Sequence, residues 1–174
     1  MDCNKYCLSR VISLPMQRLA LLRIFPDSKC EIYGNKGCLE WKGVLKPSPI
    51  SREYKIRIIY KFRTRPKVIL YGETVKDIEK ADFPHHFYID KKNNAVELCL
   101  HLNNQYDDTQ YIARTIVPWT IEWLFYYEIW LGIGEWCGGG HSLSRKEGRF
   151  YELYNHSNIL SQYKSIKQNK ASIL

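Results

Sequence analysis

The sequence predicts an α+β domain in which helices pack against one antiparallel β-meander. Three observations predict it. Residues 54–62, YKIRIIYKF, alternate apolar and polar side chains, the signature of a strand with one buried face. Two further strand-like runs, CLEWKGVL and KVILY, flank it with short links between. Stretches of helical spacing lie before and after the group, which places helices against an antiparallel sheet rather than between parallel strands.

Residues 1–12 show no clear periodicity. Ser13-Leu14-Pro15 reads as a helix start, with Ser13 as cap and Pro15 in the first turn. Met16, Leu19, Leu21, Leu22 and Phe25 form its apolar side and Pro26 stops it, predicting a helix over about residues 14–25. In CLEWKGVL, Leu39, Trp41 and Leu45 share one parity against Glu40, Lys42 and Val44. In the next strand Tyr54, Ile56, Ile58, Tyr60 and Phe62 point one way, and Lys55, Arg57 and Lys61 the other. Pro47, Ser48 and Pro49 lie in the connection. The polar turn Arg63-Thr64-Arg65 precedes Pro66, which opens the third strand.

From residue 72 to residue 97 periodicity fades. The stretch reads as irregular, with Pro84-His85-His86-Phe87-Tyr88 and a polar turn at residues 91–94. A long irregular segment inside a compact domain is often functional. In TIVPWTIEWLFYYEIWLGIGEW, Trp119, Trp123, Tyr126 and Trp130 fall on one helical face, predicting a helix from about Pro118 to about Leu131. The aromatic stripe reads as core packing. Gly132 and Gly134 end the helix, a glycine loop follows at residues 138–140, and a last helix is expected over about residues 149–162.

A chain of 174 residues, 45% hydrophobic, is long enough for one domain, residues 1–174, with its own core. No window of eighteen apolar residues occurs, so no membrane span is expected. The apolar LALLRIF is short, broken by Arg23 and followed by no small-residue cleavage site, so it does not read as a signal peptide. A cytoplasmic protein is expected, with its six cysteines as free thiols. Cys3 and Cys7, and Cys30 and Cys38, have no CxxC spacing, and Cys137 and His141 merely flank three glycines. Neither a metal nor any other cofactor is expected. Net charge is +8, and residues 141–174 contribute +4 of it through six Lys/Arg against two Glu. That run reads as a solvated, flexible basic tail. No nucleic-acid-binding motif accompanies it, so nucleic acid is not an expected partner.

The chemistry centres on VELCLHLNN, residues 96–104. Cys99 stands between Leu98 and Leu100, after a polar turn and before a mostly polar run. The residues alone allow two readings, a small buried hydrophobe or a reachable nucleophile. Glu97 would oppose a thiolate. His85 could move a proton near neutral pH. Asn93 and Asn94 could supply an amide but suit a turn equally well.

A larger set of segments carries a resemblance. They are Leu39-Glu40-Trp41, Tyr54 with its strand, Pro66-Lys67-Val68, Pro84-His85, Leu98-Cys99-Leu100, Ile116-Val117-Pro118-Trp119, Glu122-Trp123-Leu124, Tyr127-Glu128-Ile129-Trp130, Gly134-Glu135-Trp136 and Gly138-Gly139-Gly140-His141. In this order, over about residues 36–141, they resemble the ubiquitin-conjugating enzymes. The closest likeness is to a bacterial branch, the stand-alone conjugating-enzyme-like proteins of type II cyclic-oligonucleotide-based antiphage signalling systems (CBASS).

The resemblance implies a ubiquitin-conjugating-enzyme-like fold and an acyltransferase. Cys99 would hold a partner's C-terminal carboxyl as a thioester and pass it to an amine. The implied donor is a cGAS-like cyclic-nucleotide synthase, whose modification regulates antiviral signalling; the acceptor amine stays open. One motif departs from the wider family, which commonly carries His-Pro-Asn about eight residues before the cysteine. Here Pro84-His85-His86 stands instead, the histidines fourteen and thirteen residues upstream. His85 matches the Pro-His of the bacterial branch and is the second candidate catalytic residue. A non-catalytic scaffold of the same fold, holding the synthase, is the alternative.

Overall fold

The computed structural model describes residues 11–101 and 105–138. Their elements run α1 (Leu14–Ile24), β1 (Lys29–Tyr33), β2 (Cys38–Leu45), β3 (Tyr54–Lys61), β4 (Lys67–Tyr71), β5 (His86–Asp90), β6 (Ala95–Leu98) and α2 (Ile116–Ile133). The strands form an antiparallel sheet in the order β1-β2-β3-β4-β6-β5. The architecture is α+β, as predicted, with the expected meander at β2-β3-β4.

The meander forms because one parity of each strand is apolar. Leu39 lies opposite Tyr60, Trp41 opposite Ile58 and Leu45 opposite Tyr54. Ile56 lies opposite Leu70, and Leu70 opposite Val96. All of these side chains are buried, so adjacent strands present one continuous apolar face. Gly43 occupies a core-parity position opposite Ile56. A Cβ there would lie 2.3 Å from Cζ2 of Trp41, so the glycine makes room for the indole laid across it. The opposite face is polar. Glu40 pairs with Lys42 at 2.9 Å and Arg57 at 2.8 Å, and Glu97 with Arg65 at 2.8 Å and Lys67 at 3.5 Å.

Three strands extend the sheet beyond the predicted meander. β1 lies ahead of the meander, and the stretch from residue 72 to residue 97 contains β5 and most of β6. The polar turn at residues 91–94 joins those two as a hairpin. Asn93 donates its backbone N–H and side-chain amide to the Asp90 carboxylate at 3.1 and 2.7 Å. Asn94 adopts φ +46° and donates its side-chain amide to Gly72 O at 2.7 Å.

In α1, Ser13 occupies the N-cap position but makes no side-chain capping bond, and Pro15 lies in the first turn. The buried side is not the one the apolar residues suggest. Leu21 and Phe25 are buried, yet Met16 and Leu19 are exposed, and Gln17 is fully buried. Gln17 earns its place by hydrogen bonding: its amide donates to Gln110 O at 2.8 Å and its carbonyl accepts from Ile112 N–H at 2.9 Å. This satisfies backbone groups of the turn that leads into α2.

Helix α2 starts two residues before the expected Pro118 and includes Gly132; Gly134, at φ +74°, is its left-handed cap. Its aromatic stripe packs inward as expected for Trp123 and Trp130, while Trp119 and Tyr126 are half-buried at the margin. Tyr127 is fully buried, and its hydroxyl donates to Lys76 O and accepts from Lys76 N–H, both at 2.8 Å. Among the described residues no helix is long and apolar enough to cross a membrane. The expected last helix and basic tail lie outside the described residues, as do Cys3, Cys7 and His141. Cys30, Cys38, Cys99 and Cys137 are free thiols.

Candidate active site

Cys99 stands one residue past β6, where the hairpin strand leaves the sheet. Strand alternation sends Leu98 into the core and leaves Cys99 half-buried on the other parity. The backbone there is fixed from outside the strand. Cys99 N–H donates to His85 O at 2.9 Å, and the same oxygen accepts from the indole N–H of Trp123 at 3.2 Å. Helix α2 is thereby linked through one carbonyl to the cysteine. His85 adopts φ +29°, an unusual value for a residue with a side chain, and its ring lies 5.0 Å from that of Trp136. The neighbouring His86 has its Nδ1 3.0 Å from Phe83 O.

Thus the structure brings the backbones of His85 and Cys99 together across fourteen residues. It does not bring Asn93 and Asn94 to the cysteine. Both amides are committed at the hairpin turn, at the end of β6 remote from Cys99.

Burial pushes the Cys99 thiol above its ordinary pKa, and the positive charge of Arg65 partly opposes this. The thiol is therefore largely protonated at neutral pH. Glu97, which the sequence sets against a thiolate, is itself paired with cations. Its carboxylate faces Arg65 and Lys67, two cations that offset its charge.

Two residues that drew no attention in the sequence belong to this neighbourhood. Arg65 reads as part of a polar turn, yet its guanidinium binds Glu97 and lies 3.9 Å over the Phe87 ring. His101, two residues beyond Cys99, is buried, with its ring 5.1 Å from that of Trp119 and 6.1 Å from that of Tyr106. Arg65 and His101 share a cavity of about 390 Å³ with Arg63, Thr64, Tyr106, Asp107 and Asp108. The separation of Arg65 from Glu97 along the chain hid the first. The second could have been suspected from its two-residue spacing to Cys99.

Cys99 is thus a partly buried thiol at a strand end, its backbone pinned by its own amide. Among the described residues no group of three or more His, Cys, Asp or Glu side chains is placed to hold a metal ion.

No curated protein matches the chain. The model of the type II CBASS E2 protein family matches residues 17–143. That span covers most of the chain and contains the whole sheet, Cys99, the cavity and α2, so the chain belongs to the type II CBASS E2 protein family.

Proposed function

We propose that the protein carries an acyl group on Cys99 and transfers it to an amine, the donor being the C-terminus of the cGAS-like synthase of its CBASS system. The observation that carries this reading is the setting of Cys99. An inert structural cysteine is exemplified by Cys30, which is buried inside β1 with its pKa pushed up to about 11 by burial. Cys99 instead lies only partly buried, just past the end of a strand and not within one.

The chemistry has two steps. The Cys99 sulfur, its proton lost, attacks the carbonyl carbon of an acyl group that arrives activated. The S–C bond forms, and the activating group leaves with its electron pair. An amine nitrogen then attacks the thioester carbon. A C–N bond forms, the S–C bond breaks, the sulfur regains a proton and the nitrogen gives one up. A thiol that is mostly protonated at rest suits a carrier that reacts with an activated donor and not with every electrophile it meets. In this reading His85 holds the cysteine segment through its carbonyl oxygen, and its imidazole takes the proton of the incoming amine.

A second reading, a non-catalytic scaffold that grips the synthase, is favoured by the commitment of Asn93 and Asn94 away from Cys99. One experiment separates the two. The protein is co-expressed with the synthase of its locus and examined by intact mass without reductant. A thioester carrier gives an adduct equal to the two masses less one water, lost on thiol treatment and absent in Cys99→Ala. Co-purification without an adduct, unchanged in Cys99→Ala, establishes the scaffold and ends the carrier reading.

A further inference from the structure

The two edges of the sheet are not treated alike. At β1, Arg18 of α1 donates its Nε to Cys30 O at 3.0 Å and so occupies a carbonyl of that strand. β5, at the other edge, pairs only with β6. Among the described residues no side chain hydrogen-bonds to the backbone of residues 86–90. The strand contains neither Lys nor Pro, the residues that commonly blunt an exposed edge.

Which groups of β5 face outward follows from its neighbour. β6 lies between β4 and β5. Asn94 O accepts from Gly72 N–H, on the β4 side, and Cys99 N–H donates to His85 O, on the β5 side. Backbone groups alternate sides along a strand, so Ala95 and Glu97 bond toward β5 and Val96 toward β4. Ile89 lies opposite Val96, so its N–H and C=O point away from the sheet. The register is irregular between His86 and Tyr88 but regular from Tyr88 to Asp90, which leaves Ile89 in ladder geometry. Beside it Tyr88 is 64% exposed and Phe87 48%. An extended peptide is the ligand that uses both features. Its backbone continues the ladder at Ile89, and its alternate side chains lie against Tyr88.

The same edge leads to the thiol. His85, the residue before β5, holds the Cys99 N–H. A chain laid antiparallel to β5 ends beside His86, at the Cys99 end of the sheet. Laid parallel, it ends beside Asp90, roughly 14 Å farther off at ~3.4 Å per residue. From the added strand to β6 is two strand spacings, about 10 Å, which about three extended residues span.

We propose that the free edge of β5 takes the extended C-terminal segment of the donor as an added antiparallel strand, whose last residues pass His85 and bring the acyl carbon to Cys99. The proposal rests on the carrier reading above and adds how the donor is held. Recognition lies upstream of the acyl end, so it is the same before and after that end is activated.

The test uses a fluorescein-labelled peptide copied from the C-terminal segment of the synthase and made as the C-terminal amide. Binding to the full chain is followed by fluorescence anisotropy. A series of peptides carries one backbone N-methyl group each. Methylation is expected to weaken binding about tenfold at every second position, where the N–H meets β5, and little at the positions between. Tyr88→Ala should weaken binding several-fold, and Tyr33→Ala, at the β1 edge, should leave it unchanged. Polarity is read with two further peptides, bearing a 2-thiopyridyl-activated cysteine at the C-terminal or the N-terminal end. The Cys99 sulfur attacks the peptide sulfur, the new disulfide forms and pyridine-2-thione leaves. Peptide mapping should show Cys99 labelled at least about tenfold faster by the C-terminal probe. Absence of binding, a loss that does not alternate, or faster labelling by the N-terminal probe overturns the proposal. So does a chain that is dimeric, becomes monomeric in Tyr88→Ala and binds no peptide, since a second copy would then hold the edge. Failure of the carrier reading looks different: no thioester forms with the synthase, while the alternation and the polarity persist.

Discussion

Glu128 of α2 should be the most costly exposed-side carboxylate to remove, because two groups of the β2–β3 connection and one at the start of β3 converge on it. It accepts from Ser51 Oγ at 2.5 Å, Arg52 N–H at 3.0 Å and Tyr54 OH at 2.9 Å. Their fates differ when the carboxylate is lost. Ser51 is half-buried and Arg52 exposed, so water replaces the lost acceptor. Tyr54 is fully buried, and its hydroxyl would be orphaned at a cost of about 1–3 kcal/mol. With the loss of bonds to a charged acceptor, Glu128→Ala should destabilise by about 2–4 kcal/mol. Glu128→Gln keeps one carbonyl oxygen for Tyr54 and Arg52, and its amide can donate to Ser51, so its cost should be about 1 kcal/mol. The assay is urea unfolding followed by tryptophan fluorescence. A cycle with Tyr54→Phe isolates the pair and should give a coupling of roughly 1–2 kcal/mol. The same contact leaves a spectroscopic mark. Burial first, and the Glu128 carboxylate second, hold the Tyr54 phenol well above its ordinary pKa. Glu128→Ala should therefore lower the pH at which the Tyr54 phenolate band emerges. Equal loss in the alanine and glutamine variants, or a coupling near zero, would refute the argument.

Two further outcomes follow from the site. Burial disfavours the Cys99 thiolate, so its ionisation moves to higher pH. Its iodoacetamide alkylation rate, measured by peptide mapping, should climb about tenfold per pH unit from neutrality, with a midpoint above the ~8.5 of free cysteine. A plateau below pH 8 would contradict this. Trp123→Phe removes the second donor to His85 O and thins the packing against Phe83, Tyr127 and Trp136. A loss of about 2 kcal/mol in urea unfolding is expected, with several-fold faster modification of Cys99 as its anchor loosens.

The meander was legible because burial on one face writes a period of two into the residues, as in Tyr54, Ile56, Ile58 and Tyr60. The strands that were missed lack that mark. In β5 no side chain is buried, and Phe87 and Tyr88 are exposed at 48% and 64%, so an edge strand with one partner shows no apolar parity. β6 has four residues and β1 a single buried one, Cys30, too few to establish a period. α1 misled for the opposite reason: Met16 and Leu19 are apolar and exposed, while the buried Gln17 is paired twice to backbone. Cys99 drew notice through the resemblance to a family, not through any local pattern. Arg65 was invisible because its partners Glu97 and Phe87 reach it only once β6 and β5 have been added beside β4.

The same missed strands are what make the site. Without the β5–β6 hairpin, Cys99 would sit in a loop with no fixed distance to anything. With it, β6 lies between β4 and β5, and the residue just before β5 meets the residue just after β6. His85 adopts a positive φ at that junction, a conformation that costs on the order of 1–3 kcal/mol for a residue with a side chain. Its carbonyl accepts both the Cys99 amide and the Trp123 indole, and these two bonds offset a cost of that size. An ordinary turn would leave residue 85 unstrained and would have no need of an indole donor from another element. The strained carbonyl joins the sheet end, the cysteine and α2 at one atom. Helix α2 is therefore part of the site through Trp123, and contacts made on α2 have a short covalent and hydrogen-bonded route to the sulfur.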